Sequence, residues 1–324
     1  MDSEKLKQVL GSKLKENEPL SQHTWFKIGG PARFFVAPKS SDELVEALTA
    51  AQDSAVPYFI LGSGSNILVS DVGFDGLVIQ PKNRGYLISD TIVSCEAGTI
   101  VVDVLAATLA AGLTGWPWAA GLPGTIGGAV RGNAGAYGKG MGDIVSKADV
   151  FHAGKVETMT RKDLKFSYRH SVIKEMSAVI VNVELQLEHG DIKADQQLVD
   201  QYNQRRKDTQ PLELPNAGCV FKNVDLSKVE IDKKKVIKGL DITEAEFIEA
   251  TKYGKLPVSY IVDHLGLKGK TIGGAQVSEK HGAFIVNIGD ASAEHVIMLI
   301  SDVKMHVRNE LGIQLQEEVQ YVGF

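Results

Sequence analysis

The chain has 324 residues, with 35 Lys and Arg against 40 Asp and Glu, a formal net charge of −5, and 44% hydrophobic residues. That balance describes a soluble globular protein with two or three domains at about 100–200 residues each. The charge is mildly acidic and gathers into no basic block, which argues against nucleic-acid partners. Two cysteines, Cys95 and Cys219, make no disulfide framework and point to a reducing cytoplasm. The N-terminal stretch MDSEKLKQVLGSKLKENEPL alternates charge with isolated Leu and Val, unlike a signal peptide. The most apolar region, 115–130, is broken by Pro117, Pro123 and several glycines and falls short of the ~18 uninterrupted apolar residues of a membrane span.

Leu6, Val9, Leu10 and Leu14 share one helical face, so residues 1–22 read as an amphipathic lead. Ser40 with Glu43 makes a capping-box pattern, and Leu44, Val45, Leu48 and Ala51 follow at helical spacing, predicting a helix over 41–52. A short buried strand over 58–61 leads into the turn Gly62-Ser63-Gly64-Ser65-Asn66, with further strands at 67–69, 77–79 and 92–96. Residues 101–111 are rich in Ala and Leu and form a helix stopped by Gly112. From Gly115 to Gly142 the chain holds 10 of its 33 glycines, a density that helix and strand interiors tolerate poorly, so a long loop wrapped around a ligand is expected there. Strand-like alternation returns over 150–188 and closes a first domain near Gly190. A polar helix over 195–207 makes the link, and 222–255, rich in Lys, Asp and Glu, looks like a solvated excursion. A long helix over 292–311, stopped by Gly312, precedes a final strand over 313–322. Strands interspersed with helices, without regular alternation, make the class α+β. The working division is a lead over 1–22 and domains over 23–190 and 195–324.

Gly62, Ser63, Gly64, Ser65 and Asn66 offer closely spaced backbone N–H groups and two hydroxyls, which suits a pyrophosphate as well as it suits a plain tight turn. The run is not a Rossmann fingerprint, because its third glycine position is Ile67. A second cradle lies in Gly121, Gly124, Gly127 and Gly128 around Pro123 and Thr125, where the backbone can approach a flat or charged ligand. Two such cradles suggest a dinucleotide cofactor. The eight histidines form no close cluster and the two cysteines have no zinc spacing, so no metal is expected. Tyr168-Arg169 places a guanidinium beside an aromatic, either a carboxylate or phosphate reader or a surface ion-pair partner. Cys219 follows the small turn Asn216-Ala217-Gly218, a place where a thiol is often just a small hydrophobe. In the last strand Ile313, Leu315, Val319 and Tyr321 point one way, and Gln314, Gln316, Glu318 and Gln320 the other, toward solvent or a wet cleft.

Eight segments in order carry a resemblance: HTWFKIGGPARFFVAP, LGSGSNILVSDVGFDGLVI, AGLPGTIGGAVRGNAGAYG, FSYRHS, RRKDTQPLELPNAGCVFKN, HLGLKG, IGGAQVSEKHGAFIVN and LQEEVQYVG. Together, from His23 to Gly323, they resemble the UDP-N-acetylenolpyruvoylglucosamine reductases, flavoenzymes of bacterial peptidoglycan synthesis. The resemblance implies a two-lobed, vanillyl-alcohol-oxidase-type domain binding FAD non-covalently, then a smaller α+β substrate domain. It implies NADPH as the co-substrate and UDP-N-acetylglucosamine enolpyruvate as the acceptor. By the same resemblance, residues 63–66 and 121–128 surround the FAD. Arg169 and Glu318 meet the substrate carboxylate, and Cys219 stands where the proton donor stands. Tyr137, Tyr168, Arg206, Lys207 and Asn223 match substrate-side positions. The resemblance further implies a cytoplasmic monomer acting on small molecules, with no nucleic-acid or membrane partner.

Several departures bear on this expectation. The donor position is usually serine and here is Cys219; Gln320 stands where arginine is common, and Thr209 where Lys or Arg is expected, leaving Arg205, Arg206 or Lys207 for the diphosphate. The short interval from Arg169 to Cys219 resembles the class lacking an extra loop that folds a tyrosine over the substrate. The stretch 224–256 looks longer than usual. Two other readings stay open: a different flavin oxidase or dehydrogenase on the same fold, and a non-catalytic flavin or sugar-nucleotide binder.

Overall fold

The computed structural model of the chain describes residues 3–324, which fall into two compact units, each assembled from separated stretches of sequence. The first takes the N-terminal segment up to Glu18, Ala32–Ser63 and Asp75–Arg206; the second takes Pro19–Pro31, Gly64–Phe74 and Lys207–Phe324. The chain visits each unit more than once, which the division at 22 and 190 does not express.

In the first unit, helix α1 (Ser3–Leu10) buries Leu6 and Leu10 but leaves Val9 45% exposed, so its apolar face is narrower than the spacing suggested. Helix α2 (Ser41–Asp53) begins where Ser40 accepts the Glu43 N–H at 3.1 Å. The Glu43 carboxylate takes the N–H of Lys39, not that of Ser40, so the capping box is displaced by one residue. Leu44, Ala47, Leu48 and Ala51 of α2 pack on Phe34, Val36, Leu77 and Ile79 of a four-stranded sheet. Its strands run in the order Lys15–Pro19, Pro31–Val36, Phe74–Ile79, Tyr58–Ile60.

A second sheet of the same unit is antiparallel throughout, in the order Lys155–Thr160, Val145–His152, Ala178–Gln186, Ile92–Glu96, Tyr86–Ser89. Its central strand serves two cores. Asp149 pairs with Asn182 but Val150 pairs with Ile180, so Val181 is an extra residue in the ladder. A bulge reverses the in-out parity. Val179 and Val181 therefore face the α2 core, whereas Val183 and Leu185 face a core built with helices α3 (Val101–Ala110) and α4 (Ile126–Gly132) and the indoles of Trp116 and Trp118. Gly112 follows α3 at φ +81°, the expected left-handed stop. Helix α5 (Ile192–Thr209) is longer at both ends than the polar pattern indicated.

The glycine-rich segment corrects one expectation. It is not a loop throughout, because α4 forms inside it despite three glycines. Tertiary packing outweighs their poor helix propensity. Gly127 sits so close to Ala97 that an added Cβ would lie 2.9 Å from the Ala97 Cβ. Thr125 caps the helix by accepting the Gly128 N–H at 3.3 Å, and Asn133 ends it at φ +43°.

The second unit holds an antiparallel sheet in the order Asn216–Cys219, Phe284–Asn287, Ala275–Val277, Thr271–Ile272. The stretch 222–255 is also corrected: it contains α6 (Lys233–Leu240) and α7 (Glu244–Ala250), and Val236, Leu240 and Phe247 enter the core. Composition misled because lysines and glutamates occupy only the outer faces of these short helices. Helix α8 (Val258–His264) follows. Helix α9 (Ala293–Leu311) buries Val296, Leu299, Ile300, Val303, Val307 and Leu311, is capped by Ser292 and His295, and stops at Gly312, φ +75°. Beyond it Ile313, Leu315 and Val319 are buried as the alternation required, but Tyr321 is 37% exposed. Only Gln320–Val322 joins a ladder, parallel to Ile67–Val69. Among the described residues no helix is long and apolar enough to cross a membrane.

Candidate active site

The start of the first glycine segment, Gly62 and Ser63, lies in the first unit with the second segment. A Cβ on Gly62 would come within 3.0 Å of the Thr125 Oγ1, so the start of the 62–66 turn lies directly against the cap of α4. The loop before α4 is held by backbone bonds from Val101 N–H to the Gly124 carbonyl, and from the Ile126 and Gly127 N–H groups to the carbonyls of Thr99 and Ala97. Gly121 and Gly124 adopt φ +62° and +133°, conformations that favour glycine. At Gly121 a Cβ would also strike the Arg206 Cδ at 2.8 Å and the Asn203 Oδ1 at 2.9 Å, so Arg206 of α5 is laid along this loop. Pro123 stands half-buried between these glycines.

Carbonyls tie the 62–66 turn into the fold. That of Gly62 accepts from the Gln80 amide at 3.1 Å, that of Gly64 from Trp25 N–H at 3.0 Å, and that of Asn66 from Gln320 N–H at 3.1 Å. With its carbonyl edge so engaged and no Cβ at two of its five positions, the turn suits close approach by an anion to its amide edge. A pyrophosphate-bearing flavin dinucleotide fits the amide edge of such a turn, and the missing side chains at 62 and 127 let the surrounding segments close up, since a Cβ at Gly62 would meet the Thr125 Oγ1 and one at Gly127 the Ala97 Cβ.

Tyr168 and Arg169 occupy a tight turn closed by reciprocal backbone bonds between Ser167 and His170, each 3.0 Å. Arg169 has φ +56°, uncommon for a residue with a side chain. Its Nη1 donates to the Gly135 carbonyl at 2.9 Å, and its guanidinium lies 5.3 Å from the Tyr168 ring centroid. Nearby in the same unit, Tyr137 (φ +54°) stacks on Tyr202 of α5 with ring centroids 3.8 Å apart, and the Arg205 guanidinium lies 5.6 Å from the Tyr137 ring. Burial holds the Arg131 guanidinium below its ordinary pKa.

The second unit gathers Ser65, Asn66, Cys219 and Glu318. Glu318 N–H donates to the Val220 carbonyl at 2.7 Å, which sets Glu318 across from the residue after Cys219. The Asn66 amide donates to the Glu318 carbonyl at 3.2 Å, and a Cβ on Gly218 would sit 3.7 Å from the Ser65 carbonyl. Gly218 has φ +73°, and its N–H bonds the Asn216 Oδ1 at 2.9 Å, so a glycine turn presents Cys219. Neither cysteine is in a disulfide. Cys219 is half-buried, whereas burial pushes the Cys95 thiol up to about 12 and leaves it inert as a nucleophile. Asn223 spends its Oδ1 on the Val258 N–H at the start of α8, and Lys207 is exposed with its carbonyl bonded by Lys280.

The expected site residues thus fall into two groups. Gly62, Ser63, Gly121, Pro123, Gly124, Thr125, Gly127, Gly128, Tyr137, Tyr168, Arg169 and Arg206 belong to the first unit; Gly64, Ser65, Asn66, Lys207, Cys219, Asn223 and Glu318 belong to the second. Asn133, Ser171 and Tyr202 were not picked out by sequence reasoning. Only Asn133 carried a readable signal, an asparagine just past an apolar helical run, the usual sign of a left-handed cap.

Residues 32–159 match an FAD-binding domain, the stretch that carries the Gly62 and Thr125 cradle. Fold and cradle together define an FAD-dependent oxidoreductase of α+β architecture. Residues 210–322, which carry Cys219 and Glu318, match the C-terminal domain of UDP-N-acetylenolpyruvoylglucosamine reductase. Full-length relatives of that name include one from Caldanaerobacter subterraneus, 36% identical over 323 residues and covering 99% of this chain and 97% of the relative. Another, from Alkaliphilus oremlandii, is 38% identical over 311 residues, 95% of this chain and 92% of the relative. The chain belongs to the UDP-N-acetylenolpyruvoylglucosamine reductase family. The solved reductase of Thermus caldophilus superposes with a TM-score of 0.73 at 27% identity, covering 95% of this chain and 98% of that one.

Proposed function

We propose that this chain reduces the enolpyruvyl group of UDP-N-acetylglucosamine enolpyruvate with NADPH, giving UDP-N-acetylmuramate for peptidoglycan synthesis. The observation that carries the reading is the gathering of Ser65, Asn66, Cys219 and Glu318 in one unit by the bonds from Asn66 to Glu318 and from Glu318 to Val220. FAD, when bound, supplies the two-electron transfer from NADPH to the terminal vinyl carbon. The backbone of 62–66 and of 121–128 would hold that cofactor, Gly62 and Gly127 allowing the turn, α4 and Ala97 to pack without a Cβ between them.

Addition at the vinyl terminus drives negative charge onto the neighbouring carbon and its carboxylate. Charge of that kind is met best by donors fixed in advance. Arg169, held by its bond to Gly135, is the cationic donor, and Glu318 orients the carboxylate. The Cys219 thiol gives its proton to the carboxylate-bearing carbon: the S–H bond breaks, a C–H bond forms, and the thiolate regains a proton from solvent. A thiol, with an ordinary pKa of about 8.5, releases a proton far more readily than a serine hydroxyl. Tyr137, Tyr168, Arg206, Lys207 and Asn223 serve the sugar nucleotide. On this reading the chain works as a cytoplasmic monomer whose partners are its two small-molecule substrates.

The test is NADPH consumption that depends on the enolpyruvyl sugar nucleotide, with product followed by mass spectrometry. One UDP-N-acetylmuramate formed per NADPH is expected. NADPH consumption without that product would overturn the reading.

A further inference from the structure

The Tyr168–Arg169 turn lies outside regular secondary structure, so something must fix a residue whose backbone is left-handed. Side chains do it. The Asn133 Nδ2 donates to the Ser167 carbonyl at 2.8 Å, while its Oδ1 accepts the Gly142 N–H at 2.9 Å. The Ser171 hydroxyl, fully buried, donates to the Arg131 carbonyl at 2.7 Å, in the last turn of α4. Lys174 Nζ donates to the Arg169 carbonyl at 2.8 Å. Gly142 is pressed against Phe166, where a Cβ would come within 2.8 Å of the Phe166 Cβ. One asparagine therefore joins three segments: the end of α4, the 140–142 loop and the turn bearing Arg169.

We infer that Asn133 is a positioning residue for the Arg169 guanidinium. This rests on the reading of Arg169 as the contact to the substrate carboxylate. Asparagine meets two demands at once. It tolerates the left-handed cap at φ +43°, and its amide offers both a donor and an acceptor. Aspartate keeps the cap and the acceptor for Gly142 but sets a carboxylate oxygen against the Ser167 carbonyl, releasing that end of the turn. Glycine keeps only the cap.

The experiment compares Asn133→Asp, Asn133→Gly, Arg169→Lys and the double variant Asn133→Asp/Arg169→Lys as FAD-loaded protein. Anaerobic stopped flow follows flavin reduction by NADPH and reoxidation by the enolpyruvyl substrate separately. UDP-N-acetylmuramate affinity, from the perturbed flavin spectrum, and the thermal midpoint are read in parallel. Asn133→Asp is expected to slow reoxidation by up to about 100-fold, the scale of a misplacement near 1 Å, and to weaken product binding, with NADPH reduction at the parent rate. The double variant should be no slower than Arg169→Lys alone, because both changes act on one contact. Asn133→Gly should show the same split and keeps the test open if the aspartate variant folds poorly. Reoxidation at the parent rate in both Asn133 variants, or losses that multiply with those of Arg169→Lys, overturns the inference while Arg169 keeps its role. If Arg169→Lys reoxidises like the parent, the reading of the site falls and this inference with it.

Discussion

Gly127→Ala isolates the physical claim on which cofactor binding depends. The new methyl would stand 2.9 Å from the Ala97 Cβ and 3.1 Å from the Ala97 carbonyl oxygen, neither of which is the tip of a flexible side chain. Carbon–carbon contacts settle at about 3.5–4.0 Å, so the start of α4 must retreat by about 0.6–1.1 Å. Overpacking of this kind costs about 1–3 kcal/mol, partly offset by about 1 kcal/mol of improved helix propensity. A net loss of about 1–2 kcal/mol would lower the melting midpoint by a few degrees. The larger effect falls on FAD, because a shift of α4 moves the Thr125 cap that lies against Gly62 and disturbs the 62–66 turn, whose amide bonds to a phosphate are worth about 1.5–3 kcal/mol each, or about 10–100-fold in Kd. Flavin fluorescence on titration of the apoprotein measures that Kd. Ala97→Gly in the same chain removes the struck Cβ, so the double variant should recover most of the lost affinity, a coupling that independent sites would not show. Parent-like FAD affinity in Gly127→Ala, or no rescue by Ala97→Gly, would refute the cradle as described.

Cys219→Ser is expected to retain turnover, since a hydroxyl can fill the donor's place, while Cys219→Ala loses most turnover yet is still reduced by NADPH; equal turnover in the alanine variant would remove the thiol from the mechanism. His281 supplies a pH signature. Burial, reinforced by the Lys268 charge, holds its imidazole below the ordinary 6.5, and its Nδ1 accepts the Ala283 N–H at 3.3 Å, which places the proton of the neutral ring on Nε2. The unfolded chain therefore takes up a proton at this residue near pH 6.5 and the folded chain only at lower pH. Stability from this source is complete above pH 6.5 and is lost as pH falls below it. Melting midpoints between pH 7.5 and 5 should fall less steeply in His281→Asn, and equal slopes would contradict the assignment. Ser40→Ala, which removes the accepted Glu43 N–H, should cost about 1 kcal/mol in thermal or urea unfolding without altering FAD affinity.

What was legible in the sequence was local. Helix ends at Ser40, Gly112, Ser292 and Gly312 announced themselves through cap chemistry, and the alternation from Ile313 onward marked Ile313, Leu315 and Val319 for the core. What escaped was set by contacts between distant residues. No local pattern says that Ala97 will accept the Gly127 amide and let a glycine-rich stretch become a helix. None says that Val181 will be extra in its ladder, turning one strand toward two cores. The residues of the candidate site were visible as motifs, but the neighbourhood of Cys219 and Glu318 comes from segment 220–222, just past strand 216–219, lying beside segment 316–319, a pairing across about a hundred residues that loop closure, not local propensity, decides. Asn133 escaped for the same reason, because its partners Ser167 and Gly142 lie 34 and 9 residues away.

The most direct test of the central claim is the visible spectrum of the purified protein under anaerobic conditions, recorded before NADPH, after it, and after the enolpyruvyl sugar nucleotide. The account predicts a yellow protein that bleaches with NADPH and regains its colour with the sugar nucleotide. Colour that bleaches and does not return would contradict the proposed substrate; protein that stays colourless when offered FAD would contradict the cradle itself.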